Sequence, residues 1–436
     1  MMRIFLTLVL FVLVSAPARA IDIQEVTSPG GIKAWLVEEN SIPFTALEIR
    51  FEGGGSLDRD GKRGAINLMT GLIEEGAGDM DARAFAVARD GLAASYSFRT
   101  WRDAIGVSAR FLSENRDEAV ALLKTALNDP RFDEDAVERV RKQVLSGIRS
   151  KEGDLNETAS AAFNALAYGD HPYAFDFDGT IESVNGLTRD DIVNAHKDTL
   201  AKDRVFVSAA GDISAEELGL VLDALLGDLP EIGAPMLVDA DVQLTGGVTI
   251  VPFDTPQSVT MFGHTGIKRD DPDFFPAFVA NEIFGGSGRQ SRLSFEVREE
   301  RGLTYRIGSY LAIYDHAELV IGQTAVANER MAEAIDVVRA EWSKVATEGV
   351  TEQELAEAKT FMTGEYPLRF DSNASIARIL VGMQMNGNTP DYVNTRNDKV
   401  NAVTLEDIRR VAKRIYRPED LRFVVVGQPT DLENVN

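Results

Sequence analysis

Apolar positions recur along this chain with two periods. "TALEIRF" (Thr45–Phe51) alternates apolar and polar residues, as a strand with one buried face does. "DEAVALLKTAL" (Asp117–Leu127) and "RMAEAIDVVRAEWSKVA" (Arg330–Ala346) space their apolar residues three and four apart, which predicts amphipathic helices. "RGAINLMTGLIEEGAG" (Arg63–Gly78) reads as a helix with a glycine-rich lead-in. Ala65, Leu68, Met69, Leu72 and Ile73 form its packing face, and Gly76 stands at its end. The first twenty residues follow neither period. Ile4–Val14 is apolar except for Thr7, Arg3 precedes it, and Ala18-Arg19-Ala20 closes it. This pattern predicts a cleavable secretory signal peptide over residues 1–20, a mature chain from Ile21 and a periplasmic location. No later run is apolar for long enough to span a bilayer.

The chain also echoes itself. "VNGLTRDDIVNAHKDTLAKDRVFVSAAGD" (Val184–Asp212) matches "VNAVTLEDIRRVAKRIYRPEDLRFVVVGQ" (Val400–Gln428) at one ungapped offset of 216 residues. A single offset held over such a length predicts two homologous halves. Thr188 and Thr404 sit at N-cap positions, with Asp191 and Asp407 three residues on, in a capping-box arrangement. A strand ending at Gly211 or Gly427 follows each helix. The halves are expected at 21–226 and 248–436, joined by a linker over 227–247 that carries Pro230 and Pro235. Strands and helices mix within each half, which predicts an α+β fold of mostly antiparallel sheets covered by helices.

Composition narrows the function. The formal charge is −24, from 69 acidic against 45 basic residues. Such a chain repels nucleic acid and anionic lipid, and is expected to tolerate or attract basic peptides. There is no cysteine, so the core alone must hold an exported protein together. The glycine runs "EGGGS" (Glu52–Ser56) and "FGGSGRQSRL" (Phe284–Leu293) lack the lysine and serine or threonine of a phosphate loop. The four histidines, His171, His196, His264 and His316, are far apart in sequence, and none has the spacing of a zinc site. No serine stands in a nucleophile elbow. In "FEVREERGLTYRIGSY" (Phe295–Tyr310), Arg298 and Tyr305 lie seven residues apart across a turn at Gly302. Such a pair can donate hydrogen bonds to one carbonyl or oxyanion. Read from chemistry alone, a surface ion pair at Arg298 and a packed Tyr305 account for both residues.

These segments together resemble the insulinase/pitrilysin-type metallopeptidases, a family that includes the mitochondrial processing peptidases. The resemblance covers nearly the whole chain after residue 20. Its most specific stretch is "GGSGRQSRLSFEVREERGLTY", and the family's substrate-contacting arginine and tyrosine fall on Arg298 and Tyr305. The family's inverted H-x-x-E-H zinc motif falls on "GAINLMTGLIEEGA". Asn67 stands for the first histidine, Thr70 for the general base and Gly71 for the second histidine. The third zinc ligand falls on Gly147, 76 residues further on, and Val140 replaces an earlier glutamate. Glu74 and Glu75 are expected to face solvent at the helix end. The resemblance therefore implies a non-catalytic subunit without a metal of its own, paired with a homologous H-x-x-E-H subunit that carries zinc. The two would close around an extended peptide, with Arg298 and Tyr305 binding substrate. Two alternatives stay open: an inert peptide-binding or scaffold protein, and a self-sufficient peptidase with an unconventional metal site.

Overall fold

The computed structural model describes residues 21–286 and 290–434. The expected signal peptide lies outside the described residues. The N-terminal sheet is built from β1 (Gln24–Thr27), β2 (Lys33–Glu38), β3 (Phe44–Glu52), β6 (Ser95–Thr100), β7 (Ala104–Leu112) and β8 (Val205–Gly211). A two-residue hairpin, β4 (Gly76–Ala77) and β5 (Met80–Asp81), stands apart. The strand order is β1-β2-β8-β3-β7-β6. The C-terminal sheet contains β9 (Gly247–Pro252), β10 (Gln257–Thr265), β11 (Ile307–Tyr314), β12 (Ala317–Ala327) and β13 (Arg422–Gly427), in the order β11-β12-β10-β13-β9.

The two orders are one order. β2-β8-β3-β7-β6 maps onto β9-β13-β10-β12-β11, and in each sheet the last strand returns to lie parallel to the first while the other ladders are antiparallel. The duplication foreseen from the 216-residue echo is thus a duplication of topology. Thr188 and Thr404 each close a capping box with Asp191 and Asp407, so both equivalent helices begin by the same hydrogen bonds.

Each sheet buries its outer face under helices of its own half. Arg116–Asn128, Arg189–Thr199 and Ala215–Leu226 cover the first sheet. Phe274–Gly285, Met331–Glu348 and Leu405–Ile415 cover the second. The inner faces are covered by exchange. Helix Leu155–Tyr168 comes from the first half and seats Ala159, Phe163 and Ala167 on Met261, Ile321, Val424 and Val426 of the second sheet. Helix Asn373–Met385 comes from the second half and seats Ala377, Leu380 and Met383 on Trp35, Val37, Ala46 and Ala210 of the first. Ser208 Oγ donates to the Ala377 carbonyl at 2.5 Å, and Gln384 Nε2 to that of Val207 at 2.7 Å. This exchange corrects the reading of Thr45–Phe51 as half-buried. That strand is buried along both faces, because a helix from the other half lies on the side expected to meet water.

Candidate functional site

The motif that resembles a zinc helix is short. Regular α-helix runs only over Ala65–Thr70, not to Gly76. Beyond Thr70 the hydrogen bonds tighten to a three-residue step, with Leu72 N donating to Met69 O and Glu75 N to Leu72 O. The helix begins at Gly64, whose φ of +87° only glycine adopts without strain. A Cβ there would also stand 2.6 Å from the Asp178 carbonyl oxygen. Asp58 holds this N-terminus, accepting from Gly64 N at 2.6 Å and Ile66 N at 2.9 Å. Burial holds its carboxyl up at about 7, against the opposing pull of those N–H groups and of Arg63. Asp58 was not foreseen, because it lies well before the N-cap spacing that a sequence scan tests.

Leu68, Met69, Leu72 and Ile73 are fully buried, as the packing face predicts. The residues in the chemical positions are otherwise engaged. The Asn67 amide nitrogen donates to Asp178 Oδ1 at 3.0 Å. Asp178 also pairs at 2.6 Å with Lys151, whose ammonium reaches Asp176 at 2.8 Å. Burial works against the Lys151 charge, but the two carboxylates outweigh it and raise its pKa. Thr70 is 3 % exposed, donates to the Ile66 carbonyl at 2.8 Å and accepts from Thr100 at 2.8 Å. Gly71 lies against the helix Glu134–Glu152, where a Cβ would stand 3.1 Å from Val140 Cγ1. Gly147 lies two turns further along that helix, exposed and facing open space. Glu74 and Glu75 do not simply face solvent: they pair with Arg89 at 2.9 Å and Arg139 at 2.5 Å.

The structure brings Arg298 and Tyr305 together. Leu293 and Val297 anchor a wide, π-helical turn over Ser294–Glu299 in the core, which turns Arg298 toward the surface. Arg292 fastens the same turn to Glu354 by a two-pronged ion pair of 2.5 and 2.7 Å. The backbone then reverses through Gly302, at φ +58°, and Tyr305 precedes β11. The Arg298 guanidinium lies over the Tyr305 ring, 5.1 Å from its centroid. Arg298 is also 3.5 Å from Glu299. Its side chain is 23 % exposed, whereas Tyr305 is 83 % exposed. The guanidinium is thus partly covered by the ring, and the phenol protrudes.

Comparison with known proteins agrees with this fold. A family profile described as the peptidase M16 inactive domain matches residues 186–362. The crystal structure of a peptidase M16 inactive domain from Pseudomonas fluorescens superimposes with a TM-score of 0.86 and 25 % identity, covering 95 % of this chain and all of that one. The chain is thus similar to the M16 peptidase family over nearly its whole length. The M16 relatives include a Helicobacter pylori protein named non-peptidase homolog YmxG, 26 % identical over 98 % of this chain and 99 % of that protein. They also include the probable mitochondrial-processing peptidase subunit beta of Schizosaccharomyces pombe, 24 % identical over 88 % of this chain and 87 % of that one. The first of these names and the inactive-domain profile support a non-catalytic, peptidase-like protein.

The residues of this chain do not fit a zinc ion at the M16 family's position. Two glycines offer no donor atom, Thr70 donates inward, and Asn67 turns its nitrogen to Asp178. Among the described residues no group of three or more His, Asp or Glu could hold a metal ion. The histidines are bound elsewhere. His196 contacts the Leu127 carbonyl and His171 the Val238 carbonyl. His264 accepts from Trp342 Nε1 at 3.0 Å in the second core, and His316 lies 3.6 Å from Asp239. Among the described residues no helix is long and apolar enough to cross a membrane.

Proposed function

We propose that this chain is the non-catalytic, substrate-positioning subunit of a periplasmic heterodimeric zinc peptidase that cleaves peptides. The observation that carries the reading is Arg298 held over Tyr305 on an anchored turn, while the zinc positions are filled by Asn67, Thr70, Gly71 and Gly147. A homologous H-x-x-E-H subunit supplies zinc and general base. Arg298 and Tyr305 orient the substrate carbonyl against that centre. The test is cleavage of an extended peptide by the zinc-bearing partner with and without this chain. Arg298→Ala is expected to lower kcat of the pair about 100-fold and leave assembly intact. Full activity of the partner alone, or an unchanged rate with Arg298→Ala, would overturn the reading.

A second reading, a catalytically inert peptide-binding or scaffold protein, is favoured by the non-peptidase name of the Helicobacter pylori relative. It predicts a stable assembly whose activity ignores both Arg298 and Tyr305.

A further inference from the structure

The inner face of the first sheet carries a strip that helix Asn373–Met385 leaves open. That helix covers β2, β8 and the start of β3, and stops short of β7 and the edge strand β6. The strand register lays out the open strip in three rows. Ser95, Arg110 and Ala46 form one row, Ser97, Ser108 and Glu48 the next, and Arg99, Gly106 and Arg50 the third. The odd residues of β7, namely Ile105, Val107, Ala109 and Phe111, point the other way into the core. Arg50 is buried, paired with Glu48 at 2.7 Å and covered by the Trp101 ring at 4.7 Å. Arg99 and Arg378 act on the same guanidinium as like charges.

Arg99, Arg110 and Arg378 are exposed, and among the described residues none lies within ion-pair distance of a carboxylate. A chain with 69 acidic residues had ample means to neutralise them. Most of its other arginines are paired, Arg59, Arg89, Arg139, Arg292 and Arg414 among them. The duplicated half offers an internal comparison. Following the ladders outward from Gly211 and from Gly427, Arg99 corresponds to Tyr310 and Arg110 to Ala325. The fold therefore places no demand for arginine at these rows. Among the described residues β6 pairs only with β7, and no backbone hydrogen bond from another of them reaches its outer edge.

We infer that this strip selects an acidic peptide, bound extended along the free edge of β6 with its Asp and Glu side chains over Arg99, Arg110 and Arg378. The inference rests on the positioning reading above and names the substrate class for it. It runs against the expectation of basic peptides drawn from overall charge. A charge of −24 repels acids at a distance, but at about 0.1 M salt that field is screened within about 10 Å. Contact with the arginines then decides. Side chains on one face of an added strand recur every two residues, roughly 7 Å apart. Arg99 and Arg110 stand two rows apart, so acids at i and i+4 of the peptide meet the two rows.

The test uses the purified chain and three labelled peptides of one length, with alternate residues Glu, Gln or Lys, read by fluorescence anisotropy. The Glu peptide is expected to bind about ten-fold tighter than the Gln peptide, with the Lys peptide weakest. Arg99→Gln and Arg110→Gln should each weaken the Glu peptide about five-fold and both together about twenty-fold, with the Gln peptide unchanged. Both sites are exposed, and far-UV circular dichroism checks the fold. Equal binding of all three peptides, or a Glu preference that survives the double variant, would overturn the inference and leave the positioning reading standing. No binding by any peptide would also overturn the inference, while the cleavage assay of the pair decides the positioning reading separately.

Discussion

Phe163→Ala tests the exchange of helices between the halves. Phe163 belongs to the first half by sequence, yet its ring is fully buried on the second sheet, beside Met261 and Ile321. Gly263 on β10 makes room for it, since a Cβ there would stand 3.2 Å from the Phe163 ring tip. Truncating a fully buried phenylalanine costs about 3–5 kcal/mol, from lost transfer energy and the cavity left behind. That is a large share of the roughly 5–15 kcal/mol that holds a folded protein. If the helix only decorated the second sheet, the loss would stay there. Because the reciprocal helix Asn373–Met385 carries Leu380 onto the first sheet, detaching one half leaves both inner faces bare. Urea unfolding should therefore be one transition in which β3 and β10 lose protection together. Hydrogen exchange read by mass spectrometry in rising urea follows the two strands separately. Phe163→Ala is expected to lower the common midpoint by the equivalent of about 4 kcal/mol in both. Leu380→Ala, cut from the opposite helix, should lower both by about 2–5 kcal/mol. Two separate wild-type transitions, or a Phe163→Ala effect confined to the second sheet, would refute mutual fastening.

The remaining predictions concern charge and the emptied zinc positions. Asp58 keeps its proton to about pH 7 when folded but to about 3.8 when unfolded, so the native state holds more protons between those values and stability falls as pH rises through them. His264 acts with the opposite sign: burial lowers its pKa to about 4, so stability is lost as pH falls from 6.5 toward 4. The two offset below pH 6.5, and above it the Asp58 slope remains. A thermal melt series from pH 6.5 to 8 should show Tm falling in the wild type and falling less in Asp58→Asn; equal slopes would refute the assignment. Gly71→His should lower Tm because its Cβ meets Val140 at 3.1 Å, whereas Gly147→Glu enters open space and should change Tm little. A calorimetric scan that ranks the two the other way would show that the helix packing has been misjudged.

What could be read from sequence follows a physical rule. Properties held by local spacing were legible. Thr188, Asp191, Thr404 and Asp407 announce the paired helices because capping is settled within four residues. The meeting of Arg298 and Tyr305 follows from one tight turn, but the family resemblance, and not local spacing, singled the pair out. Properties set by register or by another half were not. Periodicity shows that Ala159 and Phe163 share an apolar face, but not whose sheet covers it. Arg99 and Arg110 are eleven residues apart on strands joined by a hairpin, and only the pairing of Ser95 with Arg110 and Arg99 with Gly106 puts them on one face. Lys151, Asp176 and Asp178 were missed for the same reason: a helix end and a loop meet over Asn67, and nothing in their spacing predicts it.

The same rule explains how the region around Ala65–Thr70 lost its chemistry and kept its shape. Leu68, Met69, Leu72 and Ile73 are each fully buried in the first core, so replacing any of them with a small residue leaves a cavity that costs kilocalories. The chemical positions are less uniformly packed, although Thr70 is buried and Gly71 lies against Val140. Asn67 is only part-buried, and Gly71 and Gly147 are exposed. Lys151 lies between Asp176 and Asp178, the second of which accepts from Asn67. The ion pairs leave neither of these carboxylates without a counter-charge. Packing therefore accounts for the frame, whereas Asn67 and Gly147 are the positions it constrains least. By that logic Arg298, Arg99 and Arg110 need a reason other than packing. Arg99 and Arg110 are exposed and fill no cavity, so the variants proposed for them test peptide binding without a packing loss.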